Sequence, residues 1–152
     1  MTCCKGALQV TERSNELPPG FELPLRVYWE DTDAGGIVYH ANYLRFMERA
    51  RSEWLRAKGL GQHQAREQLG GMFVVTDLTL RYLQPARLDD ALLVTAALQH
   101  MGRASMTMHQ QVLRIQGAER STLCEAQVRI GWVNGQSMRP ARIPDHVQAL
   151  FQ

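Results

Sequence analysis

Three acidic side chains and two glycines lie close together in the first third of this 152-residue chain. Glu30, Asp31 and Asp33 are followed at once by Gly35 and Gly36. A carboxylate held on a loop can take a proton from water or attack a carbonyl carbon. Glycine has no Cβ, so the backbone beside such a carboxylate can pass close to a ligand. An ordinary turn rich in Asp and Gly is the alternative interpretation of the same residues.

The flanking residues predict a strand before this segment and a helix after it. Leu25 to Trp29 are strand-like, and the amphipathic pattern predicts a helix from Ala41 to Lys58 that Gly59 closes. The unpaired N–H groups and positive dipole end of a helix start suit a developing oxyanion. A candidate base and candidate oxyanion donors therefore lie within one short segment.

The run from Val27 to Tyr43 contains the pattern Asp-x-Asp-x-Gly-Gly-x-x-x-His-x-x-Tyr and continues through Glu48-Arg49-Ala50-Arg51. It resembles the hotdog-fold acyl-CoA thioesterases of the 4-hydroxybenzoyl-CoA thioesterase family. Within that family it is most similar to the YbgC-like branch, which is associated with the Tol-Pal envelope system. The resemblance covers roughly residues 24–151. It implies an α+β hotdog fold, in which a five-stranded, mainly antiparallel sheet wraps one long central helix.

The resemblance also implies an activity and the residues that carry it. The activity is hydrolysis of acyl-CoA to a free acid and coenzyme A, with Asp33 as the catalytic carboxylate, acting as nucleophile or as general base for water. The oxyanion donor would be the backbone N–H near His40. The side chain of His40 either contacts the thioester or water, or only packs at the helix start. Gly35, Gly36 and Tyr39 are expected to contact the substrate.

Two charged residues on the predicted helix have alternative interpretations. Glu48 is the alternative catalytic carboxylate, because another branch of hotdog thioesterases uses a helix glutamate. Its place at the edge of the apolar stripe favours a solvated surface residue instead. Arg51 lies within that stripe. We expect its aliphatic stem to cover the apolar surface and its guanidinium to reach solvent at the edge of the helix, rather than to pair with an acid of the site.

A predicted turn further along the chain is the candidate contact for the nucleotide of coenzyme A. Arg103 and Ser105 match a place where the family often has a cluster of basic residues against phosphate. Here Arg103 is the basic residue of the turn from Gly102 to Ser105. A plain surface arginine is the alternative interpretation.

Composition and charge fit one small globular enzyme. Hydrophobic residues make up 45% of the chain, and 17 Lys plus Arg against 15 Asp plus Glu leave a formal charge of +2, too weak to suggest nucleic acid. The three cysteines do not form a disulfide framework, and no metal or cofactor is expected. Residues 1–20 lack the apolar core of a signal peptide, and the longest apolar run, Ala91 to Leu98, is too short to span a bilayer. A cytoplasmic location is therefore expected.

The remaining pattern predicts one domain, with residues 1–20 as a flexible leader and residues 21–152 as the hotdog thioesterase domain. The predicted strands after the long helix begin at Met72 and span Ala91–Met101, Arg103–Ile115 and Ser121–Val133, and a short helix over Pro144–Phe151 follows. The strand Ala91–Met101 has little charge on either face, so the face that does not contact the helix must also be buried. Contact with a partner subunit is the simplest way to bury it. We therefore expect a homo-oligomer, either a dimer or a homotetramer.

A second function class stays open alongside hydrolysis. A hotdog protein can bind acyl-CoA or acyl carrier protein without hydrolysing either, and acyl carrier protein is a further candidate partner. A hotdog dehydratase is less well supported, because its expected His and acidic pair on different elements is not evident. Release of free thiol from acyl-CoA separates an enzyme from a binding module.

Overall fold

A computed structural model describes residues 20–152, so the predicted leader lies outside the described residues except for Gly20. The strands are β1 (Phe21–Arg26), β2 (Gly71–Tyr82), β3 (Ala91–Met101), β4 (Ser105–Gln116) and β5 (Glu119–Asn134). They form one antiparallel sheet in the order β1-β3-β4-β5-β2. β3 has its predicted bounds, and β4 and β5 differ from theirs by one or two residues at each end. The period-two pattern therefore predicted the centre of the sheet closely.

The long helix α1 (Asn42–Ala57) packs its apolar face against one side of the sheet. That face buries Phe46, Met47, Ala50 and Trp54, all at most 6% exposed. Gly59 follows the helix end with φ +84°, a conformation that favours glycine. The predicted long helix and the predicted five-stranded sheet that packs against it are confirmed.

Two further helices complete the described part of the chain, residues 20–152. Helix α2 (Gln62–Leu69) was not predicted, because Ala65 is its one buried residue and its sequence lacks an apolar stripe. The predicted C-terminal helix is present as α3 (Asp145–Gln148) followed by a 3₁₀ turn at Ala149–Phe151. In this last turn the Phe151 ring stacks on Trp54 of α1, with ring centroids 4.9 Å apart.

The prediction of a strand from Leu25 to Trp29 was wrong at its end. β1 stops at Arg26, and Trp29–Asp31 form a turn of 3₁₀ helix. The carboxylate of Asp31 accepts the Tyr28 N–H at 2.8 Å, so a local side chain takes a backbone donor that a sheet partner would otherwise use. The chain therefore leaves the sheet just before the acidic segment.

A buried polar network crosses the interface between α1 and the sheet. Gln110 of β4 is fully buried, and its amide nitrogen donates to the Met47 carbonyl at 3.0 Å and the Thr95 carbonyl at 3.1 Å. Its amide oxygen accepts from Arg51 at 2.8 Å. Burial lowers the pKa of the Arg51 guanidinium. The expectation that Arg51 extends its charge to the helix edge was wrong, because a core amide binds the guanidinium.

Candidate active site

Asp33 begins a tight turn in the loop that leads to α1. Its backbone N–H donates to the Ile37 carbonyl at 2.9 Å, and its carbonyl accepts the Gly36 N–H at 3.0 Å. Its side-chain Oδ1 accepts the Gly35 N–H at 2.8 Å, while the residue as a whole is exposed. The carboxylate is therefore held by the backbone and still open to a ligand, as a nucleophile or a base requires.

The two glycines of the turn have separate physical roles. Gly36 has φ +74°, in the left-handed region that favours glycine. A Cβ at Gly35 would lie 3.0 Å from Oδ1 of Asp33, closer than most such contacts. Gly36 thus permits the bend, and Gly35 leaves room for the carboxylate to accept its N–H.

The start of α1 offers an unpaired backbone donor. The Asn42 N–H donates to the Tyr39 carbonyl at 2.8 Å, which closes a turn just before the helix, and no side chain caps this end. The His40 N–H donates to no group within residues 20–152. His40 is itself exposed, and its ring centroid lies 4.5 Å from that of Tyr39. The predicted oxyanion donor is therefore free to bind a ligand oxygen.

Asp31, the second of the three acids, is only 4% exposed. Its Oδ1 accepts the side-chain amide of Asn42 at 2.5 Å, and its Oδ2 accepts the Tyr28 N–H. Its backbone carbonyl accepts the Tyr39 N–H at 2.9 Å. Asp31 thus joins three parts of the loop and has no opening toward a substrate.

An apolar groove of about 310 Å³ adjoins the start of α1. The Tyr82 hydroxyl donates to the His40 carbonyl at 2.7 Å, and the Tyr43 hydroxyl accepts the Ala86 N–H at 2.9 Å. Burial raises the pKa of both phenols, so both keep their protons at neutral pH. The groove is lined by Ile37, Val38, His40, Tyr43, Tyr82, Leu83, Gln84 and Pro85.

The sequence did not identify the tyrosines of this groove. Tyr82 ends strand β2, 42 residues after His40, and only the folded sheet brings the two together. Tyr43 lies in the first turn of α1 and is buried. The alternating pattern along β2 indicates which face of the sheet Tyr82 occupies. No spacing in the sequence shows that this part of the sheet lies beside the start of α1.

The alternative carboxylate, Glu48, lies on the exposed face of α1. Its Oε1 accepts the hydroxyl of Ser52, one helical turn later, at 2.6 Å. Neither Glu48 nor Asp33 is among the residues that line the groove beside His40. The two carboxylates differ in their position along the chain, because Asp33 lies in the same short loop as His40, whereas Glu48 lies on the exposed face of α1.

The turn that contains Arg103 has a second basic residue beside it. Arg103 is exposed, and the Arg129 guanidinium approaches the Ser105 hydroxyl at 3.5 Å. Arg129 comes from β5, where it is paired with Thr107 of β4. The sequence analysis named Arg103 for this turn and missed Arg129. Arg129 reaches the turn through the pairing of β4 with β5, which the local sequence does not reveal.

Cys124 is a core residue whose burial raises the pKa of its thiol to about 12. The thiol is therefore protonated at neutral pH and is no nucleophile. Within residues 20–152, no three His, Cys, Asp or Glu side chains are grouped to hold a metal ion. None of the helices in that part of the chain has the length and hydropathy of a membrane span.

Residues 27–151 match the family model described as the thioesterase-like superfamily. The chain belongs to this superfamily. It is 43% identical over 132 residues to an acyl-CoA thioester hydrolase YbgC of Escherichia coli O6:H1, covering 87% of this chain and 96% of the relative. It is 40% identical over 135 residues to an acyl-CoA thioesterase YbgC of Haemophilus influenzae, covering 89% of this chain and 96% of the relative.

The fold of this thioesterase also matches solved structures. A 4-hydroxybenzoyl-CoA thioesterase mutant complexed with 4-hydroxybenzoyl-CoA superposes with a TM-score of 0.80, covering 86% of this chain and 97% of that one. At 20% identity, this similarity concerns the fold alone. The predicted family, the hotdog fold and the enzyme class of thioester hydrolase are therefore confirmed.

Proposed function

We propose that this thioesterase hydrolyses acyl-CoA to a free acid and coenzyme A, with Asp33 as the catalytic carboxylate. The observation that carries the proposal is an exposed, backbone-held carboxylate in the same short loop as the unpaired N–H of His40. Both YbgC relatives are named for hydrolysis of acyl-CoA, which supports the choice of substrate. The hotdog domain spans residues 21–152 in this proposal.

Two routes are open to the Asp33 carboxylate. As a general base it takes a proton from water while the water oxygen attacks the thioester carbonyl, and the C–S bond then breaks as the thiolate takes the proton. As a nucleophile it forms an acyl anhydride and expels the thiolate, and water then hydrolyses the anhydride. A general base contributes roughly 10² to 10⁴ in rate, which suits a thioester because its thiolate leaves easily.

The His40 N–H stabilises the oxyanion that either route develops. A single well-placed oxyanion donor is worth about 10² to 10³ in kcat. Gly35 and Gly36 let the backbone pass close to the thioester, and Tyr39, whose ring packs beside that of His40, is a further proposed contact. The apolar groove beside His40 receives the first part of the acyl group, with the rings of Tyr43 and Tyr82 as walls. In this proposal the His40 side chain contacts the thioester or its water, and packing at the helix start is its alternative role.

Release of free thiol from a panel of acyl-CoAs tests this proposal. Short-chain, long-chain and aromatic acyl-CoAs should include at least one substrate that gives steady turnover. Tight binding without thiol release would favour the alternative, a binding module for acyl-CoA or acyl carrier protein. Acyl carrier protein as a partner and a cytoplasmic location stay predictions.

Arg103, Ser105 and Arg129 form the proposed contact for the phosphates of coenzyme A. Arg103→Ala should raise KM for acyl-CoA about tenfold, or about 1.4 kcal/mol, because a charge-assisted contact to phosphate is lost. Hydrolysis of a short thioester without the nucleotide should not change. Steady-state kinetics with both substrates measures the difference.

Arg120→Ala is the matched control, because Arg120 lies on β5 beside Ile115, at the end of β4 that is far from Ser105, and its guanidinium pairs with Glu22. It removes the same charge and should leave both KM values unchanged. Equal effects of Arg103→Ala on the two substrates would remove the phosphate role.

We also expect at least a homodimer, with a tetramer as the larger alternative. Strand β2 lies at an edge of the sheet, where Val75 is 49% exposed, and such an edge tends to pair with another chain. Leu93 of β3 is paired with Leu113 of β4, and both lie outside the core cluster around α1, so the other side of the sheet is also apolar there. Light scattering at micromolar concentration should give at least twice the chain mass of 17.2 kDa. An active monomer would contradict this expectation.

A further inference from the structure

A buried acid–amide pair joins the loop before α1 to the first residue of that helix: Asp31 and Asn42 are 4% and 5% exposed. Burying a carboxylate and an amide is costly unless their hydrogen bonds are satisfied. Oδ1 and Oδ2 of Asp31 each accept one donor, from the Asn42 side chain and from the Tyr28 N–H. Such a pair is stable only in one arrangement of the loop, so it can fix the backbone around it.

The backbone that this pair fixes includes the proposed oxyanion donor. The His40 N–H belongs to the Tyr39–His40 peptide, whose carbonyl accepts the backbone N–H of Asn42 at 2.8 Å. The preceding peptide is held as well, because the Tyr39 N–H donates to the Asp31 carbonyl at 2.9 Å. The following peptide is fixed from strand β2, where the Tyr82 hydroxyl donates to the His40 carbonyl. The backbone groups of Asp31 and Asn42 thus bond to the segment that presents the free N–H, while their side chains bond to each other.

We propose that Asp31 and Asn42 are positioning residues for the oxyanion donor, an inference that rests on the proposed function. Neither side chain contacts the substrate, because both are buried. Their bond holds the Tyr39–His40 peptide in the orientation that the oxyanion requires before the substrate arrives. An oxyanion donor acts only when it is held in place in advance, so loosening the pair should affect the chemical step more than substrate binding.

Asn42→Asp is the direct test, because it places two carboxylates in contact where the native bond is 2.5 Å long. When both carboxylates are ionised, which high pH favours, their repulsion should separate them and release the peptide. We expect kcat for acyl-CoA to fall about 10- to 100-fold, while KM changes less than about twofold. Asn134→Asp is the matched control, since Asn134 is exposed at the end of β5, and it should keep both constants.

The exchanged double variant, Asp31→Asn with Asn42→Asp, supplies the rescue. The amide then lies at position 31, where its nitrogen can donate to the carboxylate at position 42 and its oxygen can accept the Tyr28 N–H. All the side-chain hydrogen bonds of the pair are restored, and the negative charge moves from position 31 to position 42. We expect kcat to return to within about fivefold of the parent value. A folded double variant with the kcat of Asn42→Asp would overturn the proposal.

The amide resonance of His40, measured by ¹⁵N–¹H NMR, separates this inference from the proposed function. It should shift in Asn42→Asp and return in the double variant, whether or not the parent hydrolyses acyl-CoA. If the parent releases no thiol while the resonance behaves as expected, the proposed function fails and the positioning of the peptide stands. An unshifted resonance, or a lowered Tm with unchanged kcat, would show that the pair only stabilises the fold.

Asn42→Ala is the second variant, for the case in which Asn42→Asp does not fold. It removes the amide without adding a charge, and we expect kcat to fall about tenfold at constant KM. Circular dichroism verifies the fold before kinetics are measured. A parental kcat in this variant would equally overturn the proposal.

Discussion

Asp33→Asn is expected to lower kcat by about 10² to 10⁴ while the protein still folds and binds acyl-CoA. The amide keeps the size of the carboxylate, and its oxygen can still accept the Gly35 N–H that now holds Oδ1 at 2.8 Å. It loses the charge and basicity that either route to hydrolysis requires. Single-turnover and steady-state kinetics, with substrate binding measured separately, distinguish a lost chemical step from lost affinity.

Glu48→Gln is the matched control for this prediction, because it makes the same chemical change on the exposed face of α1. It should cost much less than Asp33→Asn. His40→Ala should give an intermediate loss, since the backbone N–H survives when the side chain is removed. If Glu48→Gln abolished turnover and Asp33→Asn retained it, Glu48 would be the catalytic carboxylate.

Gln110→Leu is expected to lower the free energy of unfolding by about 3 kcal/mol. The leucine fills a similar volume but leaves the half-buried Arg51 guanidinium without the acceptor that holds it at 2.8 Å. The carbonyls of Met47 and Thr95 also each lose a donor. Urea unfolding followed by circular dichroism measures the change, at one protein concentration because subunit association contributes to stability.

The same network predicts a compensating change. Adding Arg51→Met to Gln110→Leu should recover most of the loss, because an apolar set can replace a buried polar one at little cost. Gln127→Leu is the matched control, since Gln127 is exposed on β5, and it should change the free energy of unfolding by less than about 0.5 kcal/mol. A Gln110→Leu effect of that same small size would contradict the role given to the network.

Regular patterns in the sequence were sufficient to predict the sheet centre and α1. The alternation in Ala91–Met101 and the wide apolar stripe after Ala41 each follow one period over ten or more residues, so few other structures fit them. Helix α2 was missed because eight mostly polar residues contain no such period. The end of β1 was mispredicted because a single carboxylate bond, from Asp31 to the Tyr28 N–H, overrides the strand propensity of the aromatic residues.

The sequence predicted only part of the candidate site, for a related reason. The motif identified the loop and its carboxylates, but burial alone separates Asp31, which is 4% exposed, from the exposed Asp33. Contacts between distant segments left no local signal. The approach of Tyr82 to His40 and that of Arg129 to Ser105 both depend on which strands are neighbours in the sheet. Pairing of distant strands is a property of the whole fold, and no spacing in one segment encodes it.

The most direct test of the proposed activity is the stoichiometry of the products that the purified full-length protein forms from acyl-CoA. Free thiol and free carboxylic acid should accumulate together, one for one, over many turnovers, and Asp33→Asn should slow both equally. Recovery of intact acyl-CoA from the protein, with neither product formed by the parent on short-chain, long-chain or aromatic substrates, would contradict the proposal that this chain hydrolyses acyl-CoA.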